Sequence, residues 1–179
     1  MQDSDWGNSN FENDPRQKLN RAMMPFIDDV YYSVFGRAIQ IKRIEQPDDY
    51  ILDRKFAIDT IITLPTGCIL TGQEKCLDTT FGTLTVEYMQ NPLTNEKGDW
   101  FNLAAQFYFC GYATKRRDGF SMWVIVNWAS LVLSAFNHSF KWLENKNKDG
   151  KARASFKYIK FTDIPGNCLI ASKITPRRA

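Results

Sequence analysis

Histidine is nearly absent from this 179-residue chain, with His138 as the single copy. The four cysteines, Cys68, Cys76, Cys110 and Cys168, form no Cys-x-x-Cys pair. A structural zinc centre needs clustered thiolates or imidazoles, so both scarcities argue against one. Three of the cysteines lie inside apolar segments and read as small core residues of a reducing cytoplasm, either of a cell or, for a viral protein, of its host. No apolar run reaches the length of a membrane span. No internal repeat or low-complexity tract occurs. The opening residues after Met1, QDSDWGNSNFENDP, are polar and acidic, unlike a signal peptide or a basic transit peptide.

What the chain does have is a globular composition: 44% hydrophobic and 14% aromatic residues, enough for one domain with a substantial core. Residues 1–13 read as a flexible arm, 14–173 as a single domain and 174–179 as a basic tail. The net charge of +3 is unevenly spread, because residues 141–179 hold ten of the 23 Lys/Arg but three of the 20 Asp/Glu. Basic clusters stand at Lys115-Arg116-Arg117, across Lys146, Lys148, Lys151 and Arg153, and at Arg177-Arg178. Patches of this kind suit a phosphate backbone.

Asp14-Pro15 predicts a helix start. Leu19, Met23, Phe26, Ile27, Val30, Tyr31 and Val34 carry the helical spacing to Phe35, with Pro25 expected to kink or divide the helix and Gly36 to stop it. A short strand over 38–44 and a turn at 46–49 follow. A hairpin over 55–77 comes next, then a third strand over 82–90 and a loop over 91–99. The pattern predicts a helix over 100–112, a buried strand over 121–128, a short helix within 129–143, a charged loop over 145–153, a strand over 154–162 and a short element over 169–173. That order is of the α/β, more closely α+β, type: a mixed central sheet of four or more strands flanked by helices.

The hairpin holds the chemistry. Its first segment carries one acid, Asp59; its second ends in Gln73-Glu74-Lys75. A carboxylate inside an apolar strand needs a partner or a purpose. If Pro65-Thr66-Gly67 forms a three-residue loop with Gly67 left-handed, Leu64 pairs with Cys68 and Asp59 lies opposite Gln73. Asp59, Gln73 and Lys75 then point one way and Glu74 the other. A two-residue turn would bring Glu74 beside Asp59 instead. Either set offers oxygen ligands to a hard divalent cation, Mg²⁺ with Mn²⁺ as substitute. Such an ion polarises a phosphoryl oxygen and activates water, while Lys75 orients the water or stabilises charge on phosphorus.

With these residues the chain resembles the PD-(D/E)XK nuclease superfamily over roughly residues 15–128. Asp59 matches the first acid, Gln73 the D/E position, Glu74 the variable X and Lys75 the lysine, and glutamine replaces the second acid. The resemblance implies a restriction endonuclease-like fold and a metal-dependent nuclease acting on DNA, of the kind found among restriction enzymes, junction resolvases, recombination nucleases and phage nucleases. Asp59, Gln73 and Glu74 would hold the metal. It further implies accessory roles for an acid on the first helix, Asp28 or Asp29, for Glu87 as a compensating acid, and for Gln106, on the expected 100–112 helix, in steering DNA. Many members pair to cut two strands, which makes a homodimer one assembly to expect. A catalytically silent, nucleic-acid-binding or assembly subunit is the alternative that Gln73 motivates.

Overall fold

The computed structural model describes residues 15–44, 50–79, 81–91, 93–145 and 154–174. Helix α1 (Pro15–Phe35) leads to strand β1 (Gln40–Arg43), helix α2 (Tyr50–Phe56) and strands β2 (Thr60–Thr63) and β3 (Ile69–Leu77). Strands β4 (Thr83–Asn91) and β5 (Glu96–Lys97) precede a 3-10 turn at Asp99–Phe101. Then come β6 (Phe107–Ala113), β7 (Phe120–Asn127), α3 (Trp128–Phe136), β8 (Leu143–Asn145), β9 (Ser155–Lys160) and β10 (Leu169–Lys173). The molecule is α+β. A six-stranded mixed sheet runs β1-β2-β3-β6-β7-β10, and a four-stranded sheet runs β5-β4-β9-β8. Only the β3–β6 pair is parallel among these neighbours.

Strand β6 is the centre of the molecule, and all seven of its residues are buried. Alternation sends Phe107 and Phe109 to one face, where Leu19, Met23, Ile27, Val30 and Tyr31 of α1 cover them. Those α1 positions recur at three- and four-residue spacing, so one stripe of the helix meets the sheet. Tyr108, Cys110 and Tyr112 go to the opposite face. There they meet Leu84 and Val86 of β4, Ile159 of β9, and Trp128 and Leu131 of α3. One face of the large sheet thus packs on a helix and the other mainly on the second sheet, so helices flank it sparsely.

Tyrosine hydroxyls join the two sheets. The Thr83–Glu87 stretch of β4 pairs with β9 on one side only, since β5 reaches only Met89 and Asn91. Its outward carbonyls are taken by β6 side chains: Tyr108 Oη donates to Thr85 O at 2.8 Å and Tyr112 Oη to Thr83 O at 2.8 Å. The Thr83 N–H donates to Tyr112 Oη at 3.1 Å.

Several expectations need correction. Residues 107–112 of the expected 100–112 helix belong to strand β6, preceded by the 3-10 turn. A strand buried on both faces is an almost unbroken apolar run, which periodicity cannot separate from a buried helix. The strand expected over 82–90 forms, but in the second sheet rather than beside the hairpin. Lys55 and Phe56 belong to α2 rather than to the hairpin. Pro25 does not divide α1: it lies on the exposed face, where the carbonyl it leaves unbonded can be hydrated. The Asp14 cap, the turn at 46–49, the N-terminal arm, most of the charged 145–153 loop and residues 175–179 lie outside the described residues.

Candidate functional site

The hairpin has the three-residue loop. Gly67 is left-handed, with φ +81°. The Leu64 N–H donates to Cys68 O at 2.8 Å, and Thr60 stands opposite Gly72. The ladder ends at that pair, and Asp59 stands one residue before it. Its backbone N–H donates to Gly72 O at 2.9 Å. Its carboxylate Oδ2 accepts the Glu74 N–H at 2.8 Å. The Asp59 side chain thus lies along β3 where β2 has ended and satisfies a backbone donor that has lost its strand partner. The chain reaches this point through Ala57, a buried residue held at φ +47° after α2. That conformation costs an L-residue about 1 kcal/mol or more.

Register fixes the faces. Gln73 pairs with Tyr108 and Lys75 with Cys110, whereas Glu74 pairs with Phe109. Gln73 and Lys75 therefore face the second sheet, and Glu74 faces α1. Lys75 Nζ sits 4.8 Å from the Phe156 ring centroid. Gln73 is 9% exposed, and its Oε1 has no hydrogen-bond partner. An unsatisfied buried acceptor costs roughly 1–3 kcal/mol, more than a typical hydrogen bond contributes net.

Glu74 enters a separate network. Its Oε1 accepts from Tyr31 Oη at 2.9 Å and from Arg43 Nη1 at 2.6 Å. Arg43 Nη1 also donates to Thr60 Oγ1 at 2.7 Å, and Nη2 is paired with Asp28. Burial pushes the Glu74 carboxyl up to about 7, against the downward pull of Arg43 and Tyr31. Burial likewise holds Asp59 well above the ordinary carboxylate range; the Glu74 charge adds to this, its N–H opposes it, and Asp53 and Asp99 raise it further.

Asp99 was not anticipated. It opens the 3-10 turn that follows Gly98, whose N–H donates to Tyr88 O at 3.0 Å. A Cβ on Gly98 would stand 2.6 Å from Glu87 O, so only glycine lets the loop lie this close to β4. Burial raises the Asp99 carboxyl, and Lys75 opposes that rise. The sequence signal was present in the Gly98-Asp99 pair, but a loop expected to lead into a helix gave no reason to place it over β3.

The other expected residues divide. Asp28 joins the Glu74 network through Arg43 rather than the Asp59–Gln73 side. Asp29 is exposed on α1. Glu87 lies on β4 opposite Phe156, the ring that Lys75 covers, so it approaches Lys75 from the second sheet. Gln106 sits on no helix: its Oε1 accepts the Thr71 N–H at 2.9 Å, and its N–H donates to Thr71 O at 2.9 Å, tying the approach to β6 onto β3. Lys115, Arg116 and Arg117 form the exposed β6–β7 turn, where Arg117 pairs with Asp78 at 3.1 Å. Lys146, Lys148, Lys151 and Arg153 lie outside the described residues. Trp100 packs edge-on against Trp128 and Trp142 and is a core residue.

Among the described residues, no three His, Cys, Asp or Glu side chains stand close enough together to cage a metal ion. The donor set here is smaller: the Asp59 carboxylate and the orphaned Gln73 Oε1. Both are oxygen donors, the kind of atom Mg²⁺ takes, and that ion keeps several waters and is commonly held by one or two carboxylates together with substrate phosphate. Among the described residues, no helix is long and apolar enough to cross a membrane. No family model, curated protein or solved structure matches this chain.

Proposed function

We propose that this chain is a nuclease that hydrolyses DNA phosphodiester bonds with Mg²⁺, or Mn²⁺ in its place, at the Asp59–Gln73–Lys75 face of β3. The observation that carries the reading is the buried, unpartnered Gln73 Oε1 on β3, one residue before the Glu74 N–H that the Asp59 carboxylate accepts. Asp59 and Gln73 would hold the ion, and the Glu74 N–H fixes the Asp59 carboxylate. The cation supplies neutralisation of the phosphoryl charge when bound. Lys75 holds its Nζ 4.8 Å from the Phe156 ring centroid on the face of β3 that Gln73 shares, and would turn that ammonium to the attacking water or to the charge that builds on phosphorus. The Glu74 side chain, turned to α1, acts through the network that anchors β3 rather than through the ion. The exposed Lys115-Arg116-Arg117 turn offers charge to the DNA backbone.

Purified protein with Mg²⁺ or Mn²⁺ should nick or cut at least one form among linear, single-stranded, branched and supercoiled DNA. Asp59→Ala and Lys75→Ala should each reduce cleavage by about a hundredfold or more while circular dichroism stays at the parent's. Two variants that cut like the parent would remove the site assignment.

A second reading has its own observation: glutamine stands where the superfamily has an acid, and no three-acid cage is formed among the described residues. On that reading the chain binds nucleic acid, or assembles on it, without cutting. Calorimetry decides, since DNA binding without any Mg²⁺ or Mn²⁺ uptake selects it.

A further inference from the structure

We propose that Asp99 supplies the second carboxylate of the Asp59–Gln73 cation site, delivered from the loop between β5 and β6 rather than from the hairpin. The inference rests on the metal-dependent reading above. Four observations lead to it. Gln73 Oε1 is buried and unpartnered, so the site has an oxygen with no counterpart in the protein. Gln73 and Lys75 share the face of β3 that looks at the second sheet. The loop that carries Asp99 crosses that same side. It is fastened to β4 by the Gly98 N–H on Tyr88 O at 3.0 Å, to α2 by the Ala104 N–H on Phe56 O at 2.9 Å, and to β3 by the Gln106 N–H on Thr71 O at 2.9 Å. These anchors flank the middle of β3, where β2 ends and Asp59 sits. Finally, Asp99 is within electrostatic reach of both Lys75 and Asp59, the first lowering its proton affinity and the second having its own raised by it.

Asp59 and Asp99 are half-buried carboxylates, and the charge of Asp99 bears on Asp59, which is held by the N–H next to Gln73 and its unpartnered oxygen; a cation between the two would relieve that repulsion and take up the oxygen. Divalent Mg²⁺ or Mn²⁺ is the ligand whose charge and oxygen preference answer that arrangement. The competing assignment is a plain Asp99–Lys75 ion pair that stiffens the loop.

Mn²⁺ binding, followed by calorimetry and by the loss of the free-ion paramagnetic resonance signal, separates these without recourse to activity. The samples are the parent, Asp59→Asn, Asp99→Asn and, as a surface control, Asp163→Asn. We expect the parent to bind one Mn²⁺, Asp59→Asn and Asp99→Asn each to weaken it tenfold or more, and Asp163→Asn to leave it unchanged. Asp99→Asn combined with Gln73→Glu should recover most of the affinity, because a carboxylate then stands at the amide position of the same ion. Parent-like Mn²⁺ affinity in a folded Asp99→Asn protein overturns the proposal while leaving the Asp59–Gln73 site standing. No recovery in the double variant overturns the claim that the two residues share one ion. A parent that takes up no Mn²⁺ removes the cation site itself, and this inference with it.

Discussion

The Glu74 carboxyl binds its proton more tightly in the folded chain than in the unfolded one, because burial raises it from 4.5 to about 7. The folded state therefore holds more protons than the unfolded state between those values, and stability falls as pH rises across that window. Below it the penalty is absent; above it the penalty is complete, at roughly 3 kcal/mol for this group. Asp59, raised by its own burial, bends the profile the same way. Melting temperature should thus decline from about pH 5 to about pH 8 in metal-free buffer. Glu74→Gln should flatten the decline without abolishing it, since Asp59 remains. A parent profile that rises across the window would show that Arg43 outweighs burial. Asp59 and the division of Gln73, Glu74 and Lys75 between two faces were legible in the sequence, because an acid in an apolar strand is conspicuous and the pleat alternates strictly. The partners of Glu74 were not, since Tyr31 and Arg43 are brought to it by the packing of α1 and the placing of β1.

At the scale of elements, the hairpin was readable from local chemistry alone: a glycine able to take the left-handed turn fixed loop length, and loop length fixed register. Helix α2 escaped notice for the opposite reason. Its left-handed exit falls on Ala57, a residue that announces no stop. The loop before β6 depends on glycine in a different way. Gly98→Ala would drive a methyl group into the Glu87 carbonyl and move Asp99 off its position. That variant should lose Mn²⁺ affinity in step with Asp99→Asn while Asp59, Gln73 and Lys75 are untouched. Calorimetric titration of the two variants side by side checks it, and parent-like affinity in Gly98→Ala would mean that the loop's exact path is immaterial.

At the scale of the whole molecule, the mixed sheet and α1 could be read from periodicity, but the existence of a second sheet could not. Nothing local in the 83–91 or 155–160 segments says whether they join β3 or pair with each other; the choice is made by Tyr108 and Tyr112, whose hydroxyls claim the outward carbonyls of β4. Tyr112 is fully buried and meets the Thr83 N–H, O and Oγ1 at 3.1, 2.8 and 3.0 Å. Tyr112→Phe leaves those groups without a partner, at a cost of about 1–3 kcal/mol, which lowers the melting temperature by several degrees in a protein of this size. A second effect should accompany the first. A strand with a vacant row of donors and acceptors is a template on which another chain can lay its own backbone. Proteins commonly guard such a row with a lysine, a proline or a bulge; here two phenols from the opposing sheet occupy it. The Phe variant should therefore form higher-order species on warming, at concentrations where the parent does not, as light scattering would detect. Seen this way, the tyrosines that hold the sheets together also keep neighbouring molecules apart.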